Sequence, residues 1–422
     1  EDLIAMNALY RPGPMDYIPS FIARKQGREE VTYLHPKMEP ILKNTYGIMV
    51  YQEQVMQVAR EIAGFSLGNA DLLRRAMGKK KKEVMDEQRV KFVEGAKATN
   101  DIDEALATEI FDLMEKFASY GFNKSHAAAY SILAFRTGYL KAHYPSEYMA
   151  AVLTHNQTDI KKLSFFMEEC RAMGIQVLPP SVNESGHYFT VNEEGHIRFG
   201  LAAIKGVGTG PVESLITVRE AEGAFRNIFD LTQRVPAKEL GGRKTLESLV
   251  HAGALDAFGL NRSQYLQEVG GITVLEKAAT YGARKQEAAS SNQASLFGGG
   301  GGGGDIPEPE IPHCDPEPEI TLLNRERDVI GFYLSRHPLE RFRVAIDSFV
   351  NTRLNEAAEK ANQQISLAGI VTAARERTTK SGQRFGQFTI EDFSGSLEFT
   401  LWREDYAKFK GYLEVDNCVY LT

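Results

Sequence analysis

The sequence predicts a multidomain α+β fold: a mostly α-helical N-terminal part, a mixed middle part and an all-β C-terminal part. The chain has 422 residues, enough for two to four domains, and its 43% hydrophobic content is ordinary for globular protein. Apolar residues recur at helical spacing before residue 175, as at Val55, Val58 and Ile62. Residues 281–318 are rich in Ala, Ser, Gly, Pro and Glu, which is typical of a linker. From about residue 365 the pattern alternates as in strands.

Charge and cysteine content narrow the classes of function. The formal net charge of -7 argues against a protein that coats nucleic acid through overall charge, so local patches must hold any polyanion. The cysteines, Cys170, Cys314 and Cys418, lie far apart without zinc-site spacing, which indicates a reducing, cytoplasmic location. The chain has no signal peptide and no run of 18 apolar residues, so we expect no membrane partner. Because it opens with Glu1 rather than Met, we expect an internal fragment.

The first candidate site is a basic helix end. Ser66 is a plausible N-cap for a helix over residues 67–77, and Arg74 and Arg75 project off its apolar stripe. With the four lysines of residues 79–82, they make six cations in nine residues. Arginine forks suit phosphate oxygens, so a triphosphate or a nucleic-acid backbone is the natural ligand. The alternative is a solvated helix end in which Arg75 pairs with Asp71.

The second candidate site lies within residues 120–126, Tyr-Gly-Phe-Asn-Lys-Ser-His. Ser125 is expected to cap a helix over residues 127–141, which stops before Pro145. Asn123, Lys124 and His126 then surround a helix N-terminus, where free backbone N–H groups favour an anion. The alternative is a capping cluster with a surface lysine.

A third candidate lies in the middle of the chain, after a short hairpin predicted over residues 188–201. Gly206 and Gly208 precede a helix predicted over residues 211–222, and Lys205 stands beside them. This fits a helix-hairpin-helix pattern, in which glycine amides approach a DNA phosphate without reading sequence. A tight turn without a ligand remains the alternative. Further helices are predicted over residues 240–255 and 321–333.

The fourth candidate is the peptide Gln-Ala-Ser-Leu-Phe at residues 293–297, followed by seven glycines. Leu296 and Phe297 cannot bury themselves beside flexible poly-Gly, and Gln293 opens the same peptide. An exposed apolar anchor on a tether is typical of a segment that a partner captures. The alternative is a frayed helix end that runs into a linker.

The C-terminal residues alternate as a small barrel. Strands are predicted over residues 365–372, 385–391, 397–401 and 418–421, with a basic turn at residues 380–384. We expect Phe385 and Trp402 to lie in its core.

Four sequence blocks resemble the fingers domain of the bacterial DNA polymerase III α subunits, the replicative polymerases of the C family. They are LYRPGPM at 9–15, YQEQVM at 51–56, LRRAMGK at 73–79 and YGFNKSHAAAY at 120–130. The resemblance implies that basic residues of the last two blocks line the triphosphate of the incoming dNTP. These residues are Arg74, Arg75, Lys124 and His126, with Tyr120 and Asn123 in positioning roles. Lys79 and Lys80 are assigned to the DNA backbone or solvent.

The same resemblance implies a domain order. It gives fingers at residues 1–175, a clamp-binding domain with helix-hairpin-helix at 176–290, a clamp peptide and linker at 291–320, a helical connector at 321–363 and a truncated OB-fold at 364–422. In such a protein Lys205, Gly206 and Gly208 contact DNA, and the OB-fold holds nucleic acid. Gln293, Leu296 and Phe297 dock onto the sliding clamp. The implied partners are a DNA primer-template, dNTP, the sliding clamp and, through parts outside this chain, clamp-loader subunits.

Catalysis in this family needs Mg²⁺, which the palm domain holds on an Asp-x-Asp strand. The chain has this form only at Asp101-Ile-Asp103, which reads as a helix N-cap, so we assign it no metal and no catalytic residue. We therefore expect a fragment that is inactive alone. Two alternatives to a replicative polymerase fragment remain: a non-enzymatic adaptor that binds DNA and the clamp, and an error-prone paralogue of the family.

Overall fold

A computed structural model describes residues 1–79, 82–118, 121–290, 306–360, 362–379 and 382–422. The chain forms two compact units, Glu1–His143 and Tyr144–Thr422. The first division of the chain therefore falls well before residue 175, where sequence placed the end of the first domain. The predicted domain boundaries themselves stay predictions.

The first unit is helical around a single apolar core. Val58 and Ile62 are 0% exposed, and the Phe92 and Phe111 rings pack with centroids 5.5 Å apart. The helices are α1 Asp2–Leu9, α2 Ile18–Lys25, α3 Glu39–Leu42, α4 Gln52–Ala63, α5 Leu67–Lys79, α6 Lys82–Asn100, α7 Glu104–Ala118 and α8 Lys124–His143.

Helix α5 has the predicted N-cap and apolar stripe, although it continues to Lys79 rather than ending at residue 77. Ser66 Oγ accepts the N–H of Asn69 at 3.2 Å, and Ala70, Leu73 and Ala76 are buried. The predicted cap of α8 is wrong. The helix begins at Lys124, before Ser125, and the capping residue is Asn123. Its Oδ1 accepts the N–H of His126 at 2.8 Å. Lys124 and His126 therefore lie in its first turn rather than before it.

Most of α8 is exposed although it is rich in apolar residues. Only Ala127 and Ser131 are buried among its residues, whereas Leu133, Phe135 and Tyr139 are about half exposed or more. A helix that is apolar on all sides is typical of one covered by other protein.

The second unit starts with helices and continues into small sheets. Its helices are α9 Pro145–Asn156, α10 Ile160–Ala172, α11 Thr209–Glu222, α12 Ile228–Arg234, α13 Arg243–His251, α14 Arg262–Leu266, α15 Val274–Ser290, α16 Glu319–Ile330, α17 Arg343–Phe349 and α18 Arg403–Phe409. The strands are β1 Val177–Leu178, β2 Thr190–Val191, β3 Ile197–Arg198, β4 Glu268–Val269, β5 Ile272–Thr273, β6 Leu367–Thr378, β7 Arg384–Glu391, β8 Ser396–Trp402 and β9 Cys418–Leu421. The predicted hairpin is present as β2 and β3, with β1 parallel to β3.

The C-terminal sheet is antiparallel, in the order β8-β7-β6-β9. Phe388 on β7 is buried, and Tyr406 of α18 packs against it with ring centroids 6.3 Å apart. The alternation predicted the strands but not α18. A helical N-terminal unit and an all-β C-terminal sheet within one chain confirm the multidomain α+β class.

Candidate nucleotide and nucleic-acid interface

Three sequence blocks of the first unit meet at the start of α4. The backbone of Gln52 donates to Phe122 O at 3.0 Å, and its side-chain Nε2 donates to Gly121 O at 3.0 Å. Its Oε1 accepts from Arg74 Nη1 at 3.2 Å. Gln52 therefore joins α5 to the residues that lead into α8, and the arginine pair and the Asn-Lys-Ser-His block form one cluster.

The buried side-chain amide of Gln54 fixes the backbone of residues 50 and 51, which lead into this cluster. Gln54 is 5% exposed, and its Oε1 accepts the N–H groups of Val50 at 2.8 Å and Tyr51 at 3.0 Å. Its Nε2 donates to Ile41 O at 3.2 Å and Thr45 Oγ1 at 2.8 Å. Gln54 was not among the predicted site residues. The signal was present, since a Gln three residues into a helix is half of a capping box.

The two arginines share one carboxylate. Arg74 Nη2 and Arg75 Nε each lie 2.8 Å from an oxygen of Asp71. The hydrogen bond from Arg74 is the main cause that holds the pKa of Asp71 below its usual value. The predicted alternative, a pair between Arg75 and Asp71, is thus present. Arg75 remains 67% exposed, so its guanidinium is accessible to a second anion.

An anion already lies at the start of α8, and it is a carboxylate of the protein. Glu53 Oε1 and Oε2 accept the N–H of Lys124 at 3.1 and 3.0 Å, and Oε1 accepts from Asn123 Nδ2 at 3.0 Å. Lys124 Nζ lies 3.4 Å from Glu1 Oε2 and 5.3 Å from the centroid of the Tyr51 ring. The start of α8 thus holds the carboxylate of Glu53, a residue that was not predicted, and binding of a phosphate there stays a prediction.

His126 is held between aromatic rings. Its ring centroid lies 5.5 Å from that of Phe122 and 4.5 Å from that of Tyr130. The side chain is exposed, so the imidazole remains accessible at the edge of the cluster.

Five of the predicted site residues belong to segments outside the described ranges. Tyr120, Lys80 and the proposed clamp residues Gln293, Leu296 and Phe297 lie outside the described residues. The side chain of Lys79 is also not described.

The glycine turn has the geometry expected for a phosphate contact. Gly206 has φ +85°, a conformation that favours glycine, and Gly208 caps α11. Lys205 and both glycines are exposed, while the neighbouring Val207 is buried. The turn therefore presents the start of α11 to solvent.

A second glycine turn packs against the first. Thr245 Oγ1 lies 3.2 Å from Gly206 O and 3.3 Å from Gly241 O, so one hydroxyl serves both turns. A Cβ on Gly241 would lie 2.6 Å from Thr245 Oγ1, which explains why glycine is required there. This second turn was not predicted, although Gly241-Gly242 before a helix was a signal.

The C-terminal sheet carries an exposed aromatic pair. Phe385 on β7 faces Trp402 on β8, with rings 4.4 Å apart and 20° from parallel. Trp402 is 53% exposed, so its predicted place in the core is wrong; it lies on the outer face. Arg377 pairs with Phe385 across the sheet, and Arg375 is two residues away on the same face. This face combines cations and ring surfaces, as single-stranded nucleic acid requires.

The Asp-x-Asp sequence at residues 101–103 lies between helices α6 and α7. Asp101 pairs with Lys97, and Asp103 Oδ1 accepts the N–H of Leu106 at 3.0 Å, so both carboxylates serve helix ends. These residues do not fit a Mg²⁺ site, and no described cluster of three or more His, Cys, Asp or Glu residues could hold a metal ion. None of the described helices is long and apolar enough to cross a bilayer.

Family models match three parts of the chain. The bacterial DNA polymerase III alpha subunit finger domain matches residues 1–100, a helix-hairpin-helix motif matches residues 174–265, and an OB-fold nucleic acid binding domain matches residues 365–422. The second match contains both glycine turns, and the third contains the aromatic pair.

Relatives match the chain over its whole length. DNA polymerase III subunit alpha of Haemophilus influenzae is 44% identical over 99% of this chain. The subunits of Escherichia coli K12 and Vibrio cholerae are 43% and 41% identical over 100% of it. The chain spans 36% of the length of each of these curated relatives.

Proposed function

Since the chain belongs to the bacterial DNA polymerase III α-subunit family, as a segment from the finger domain to the OB-fold, we propose that it supplies the part of a replicative DNA polymerase that grips the incoming nucleotide and holds DNA. The observation that carries the proposal is the convergence of Arg74, Asn123 and Lys124 around Gln52 and Glu53, with Arg75 beside Arg74 on the shared carboxylate of Asp71. Sequence blocks separated by about 50 residues come together there, within the matched family.

In this proposal the cluster binds the triphosphate of a dNTP. The guanidinium of Arg75 is accessible, and Lys124 brings a positive charge to a helix start that already holds an anion. Charge-assisted hydrogen bonds of this kind are the strong ones that phosphate recognition uses. His126 lies in the first turn of the same helix.

Binding of a dNTP to single-residue variants tests this site. Arg74→Gln and Lys124→Gln should each weaken binding about tenfold or more, because each loses a charge-assisted contact. Arg89→Gln is the matched control, since Arg89 is also paired to carboxylates, Asp112 and Glu115, elsewhere in the unit. Equal affinities of all three variants and the wild type would contradict the proposed nucleotide site.

The two glycine turns are proposed to hold duplex DNA. The N–H groups of Thr209 and Gly210, at the exposed start of α11, have no acceptor among the described residues. Lys205 beside the first turn and Lys244 in the first turn of α13 are exposed, so both turns offer amides with a nearby cation. The aromatic face of the OB-fold is proposed to hold the single-stranded part of the template.

The peptide at residues 293–297 is proposed to tether the subunit to the sliding clamp. Leu296 and Phe297 would fill an apolar pocket, and Gln293 would fix the register through hydrogen bonds. A peptide spanning residues 290–299 should bind the clamp, and its double variant Leu296→Ala, Phe297→Ala should not. Unaltered affinity of the double variant would remove the tether from the proposal.

Catalysis is proposed to require the parts of the subunit that this chain does not contain. The relatives are about three times as long, and in them the apolar surface of α8 would be covered by the remaining protein. Mg²⁺ would be held by the palm, in a cytoplasmic enzyme that also contacts clamp-loader subunits. The pure chain with primed template, Mg²⁺ and nucleotides should give no extension, and measurable extension would contradict this division of labour.

A further inference from the structure

The Glu53 carboxylate occupies the position at the start of α8 where the proposed function places a phosphate. It is held by three contacts of 3.0 to 3.1 Å, from the N–H of Lys124 and the side-chain amide of Asn123. Free amides at a helix start attract an anion through hydrogen bonds and partial positive charge. A second anion can use the same donors only after Glu53 has left them.

The other cations of the cluster are balanced in the same way. Arg74 and Arg75 share Asp71, and Lys124 Nζ lies 3.4 Å from Glu1 Oε2. Together with the carboxylate at the start of α8, three acidic side chains therefore accompany three cations. A triphosphate carries enough charge to replace several of these acids at once, whereas a monophosphate does not.

A buried hydroxyl beside Glu53 is an independent observation that points to a ligand at the cluster. Tyr51 is 1% exposed, and its hydroxyl has no hydrogen-bond partner in the described part of the chain. Burial, followed by the charges of Glu1 and Glu53, raises the pKa of this phenol above its usual value, at which the hydroxyl is already protonated at neutral pH. Such unmade hydrogen bonds are rare in folded proteins. A phosphate oxygen near Lys124 would supply the missing acceptor.

We infer that Glu53 is an internal competitor for the nucleotide triphosphate, so that nucleotide binding displaces its carboxylate from the N–H of Lys124 and the side-chain amide of Asn123. The inference rests on the proposed nucleotide site. Gln52, the preceding residue, contacts both Arg74 and Gly121, so the competitor lies next to the residue that joins the two halves of the cluster. Because a ligand must replace the negative charge of Glu53, its affinity depends on its own charge. Triphosphates are therefore favoured over monophosphates.

The test is the Glu53→Gln variant, which keeps the size of the side chain and one acceptor oxygen but removes the charge. Calorimetric titration with inorganic tripolyphosphate should show binding at least about threefold tighter than to the wild type, because a like charge beside the phosphates is gone. The preference for triphosphate over monophosphate should shrink. Glu104→Gln, which removes a first-turn acid of α7, is the matched control and should bind as the wild type does.

The outcomes separate this inference from the proposed function. Unchanged or weaker binding to Glu53→Gln, with weaker binding to Lys124→Gln, overturns the inference and leaves the nucleotide site standing. If neither Lys124→Gln nor Arg74→Gln alters binding, both the proposed nucleotide site and the inference about Glu53 are overturned. Should Glu53→Gln fail to fold by circular dichroism, a crystal structure of the wild-type chain with tripolyphosphate decides: a phosphate oxygen on the Lys124 N–H supports the inference, and Glu53 still bound there overturns it.

Discussion

Replacement of Gln54 by Leu should destabilise the first unit strongly while changing little in size. The substitution leaves the N–H groups of Val50 and Tyr51 without their acceptor, and these residues are 4% and 1% exposed. An orphaned buried donor costs about 1–3 kcal/mol, so two cost about 4 kcal/mol, a large part of a typical domain stability of roughly 5–15 kcal/mol. Thr45 loses a partner as well, although its hydroxyl still donates to Leu42 O at 3.1 Å.

Urea denaturation followed by circular dichroism measures this cost, and hydrogen exchange at the amides of α4 locates it. Gln57→Leu is the matched control, because Gln57 lies on the same helix with its side chain exposed. Its free energy of unfolding should stay within about 0.5 kcal/mol of the wild type. If Gln54→Leu lowers the free energy of unfolding no more than Gln57→Leu does, the proposed role of Gln54 in stabilising Val50 and Tyr51 is refuted.

Three further predictions concern the second unit. Gly208→Asp should weaken duplex DNA binding about tenfold relative to Gly208→Asn, because the two variants differ by one negative charge. Both side chains fit, since a Cβ at Gly208 would lie 3.6 Å from Pro211, an ordinary contact distance. Equal affinities of the two variants in filter binding would exclude a phosphate contact. Trp402→Leu should cost roughly 1–3 kcal/mol in single-stranded DNA binding through lost stacking, and leave duplex binding unchanged. Burial lowers the pKa of His337 to about 4. Between about pH 6.5 and 4, His337 is protonated in the unfolded chain but not in the folded chain. The free energy of unfolding therefore falls on acidification through this range, by roughly 3 kcal/mol in total. His337→Asn should flatten this dependence in denaturation experiments, whereas His313→Asn should not.

The fold was predictable where the signals are local. The cap Ser66 and the stripe Ala70, Leu73 and Ala76 define α5 within a dozen residues, and the structure confirms them. The start of α8 was not predictable in the same way. Its first amide is satisfied by Glu53, some 70 residues away in sequence, and no local pattern reveals that a distant carboxylate will arrive there.

The sequence pattern also did not predict which face of the C-terminal sheet a side chain occupies. Alternation assigns Phe385 and Trp402 to one side of their strands, but it does not tell which side the rest of the barrel covers. The contact of the two glycine turns through Thr245 depends on how α13 packs against the start of α11, which only the tertiary structure defines. Residue types were thus predicted better than the partners they meet.

The position of Trp402 makes the chain its own optical probe. It is the single tryptophan among 422 residues, so all indole emission comes from the outer face of the C-terminal sheet. A base that inserts beside the Phe385 ring would change this emission without any attached dye. Fluorescence titration of the unlabelled protein can then separate occupancy of this face from DNA bound elsewhere on the chain, and stopped-flow mixing can time it.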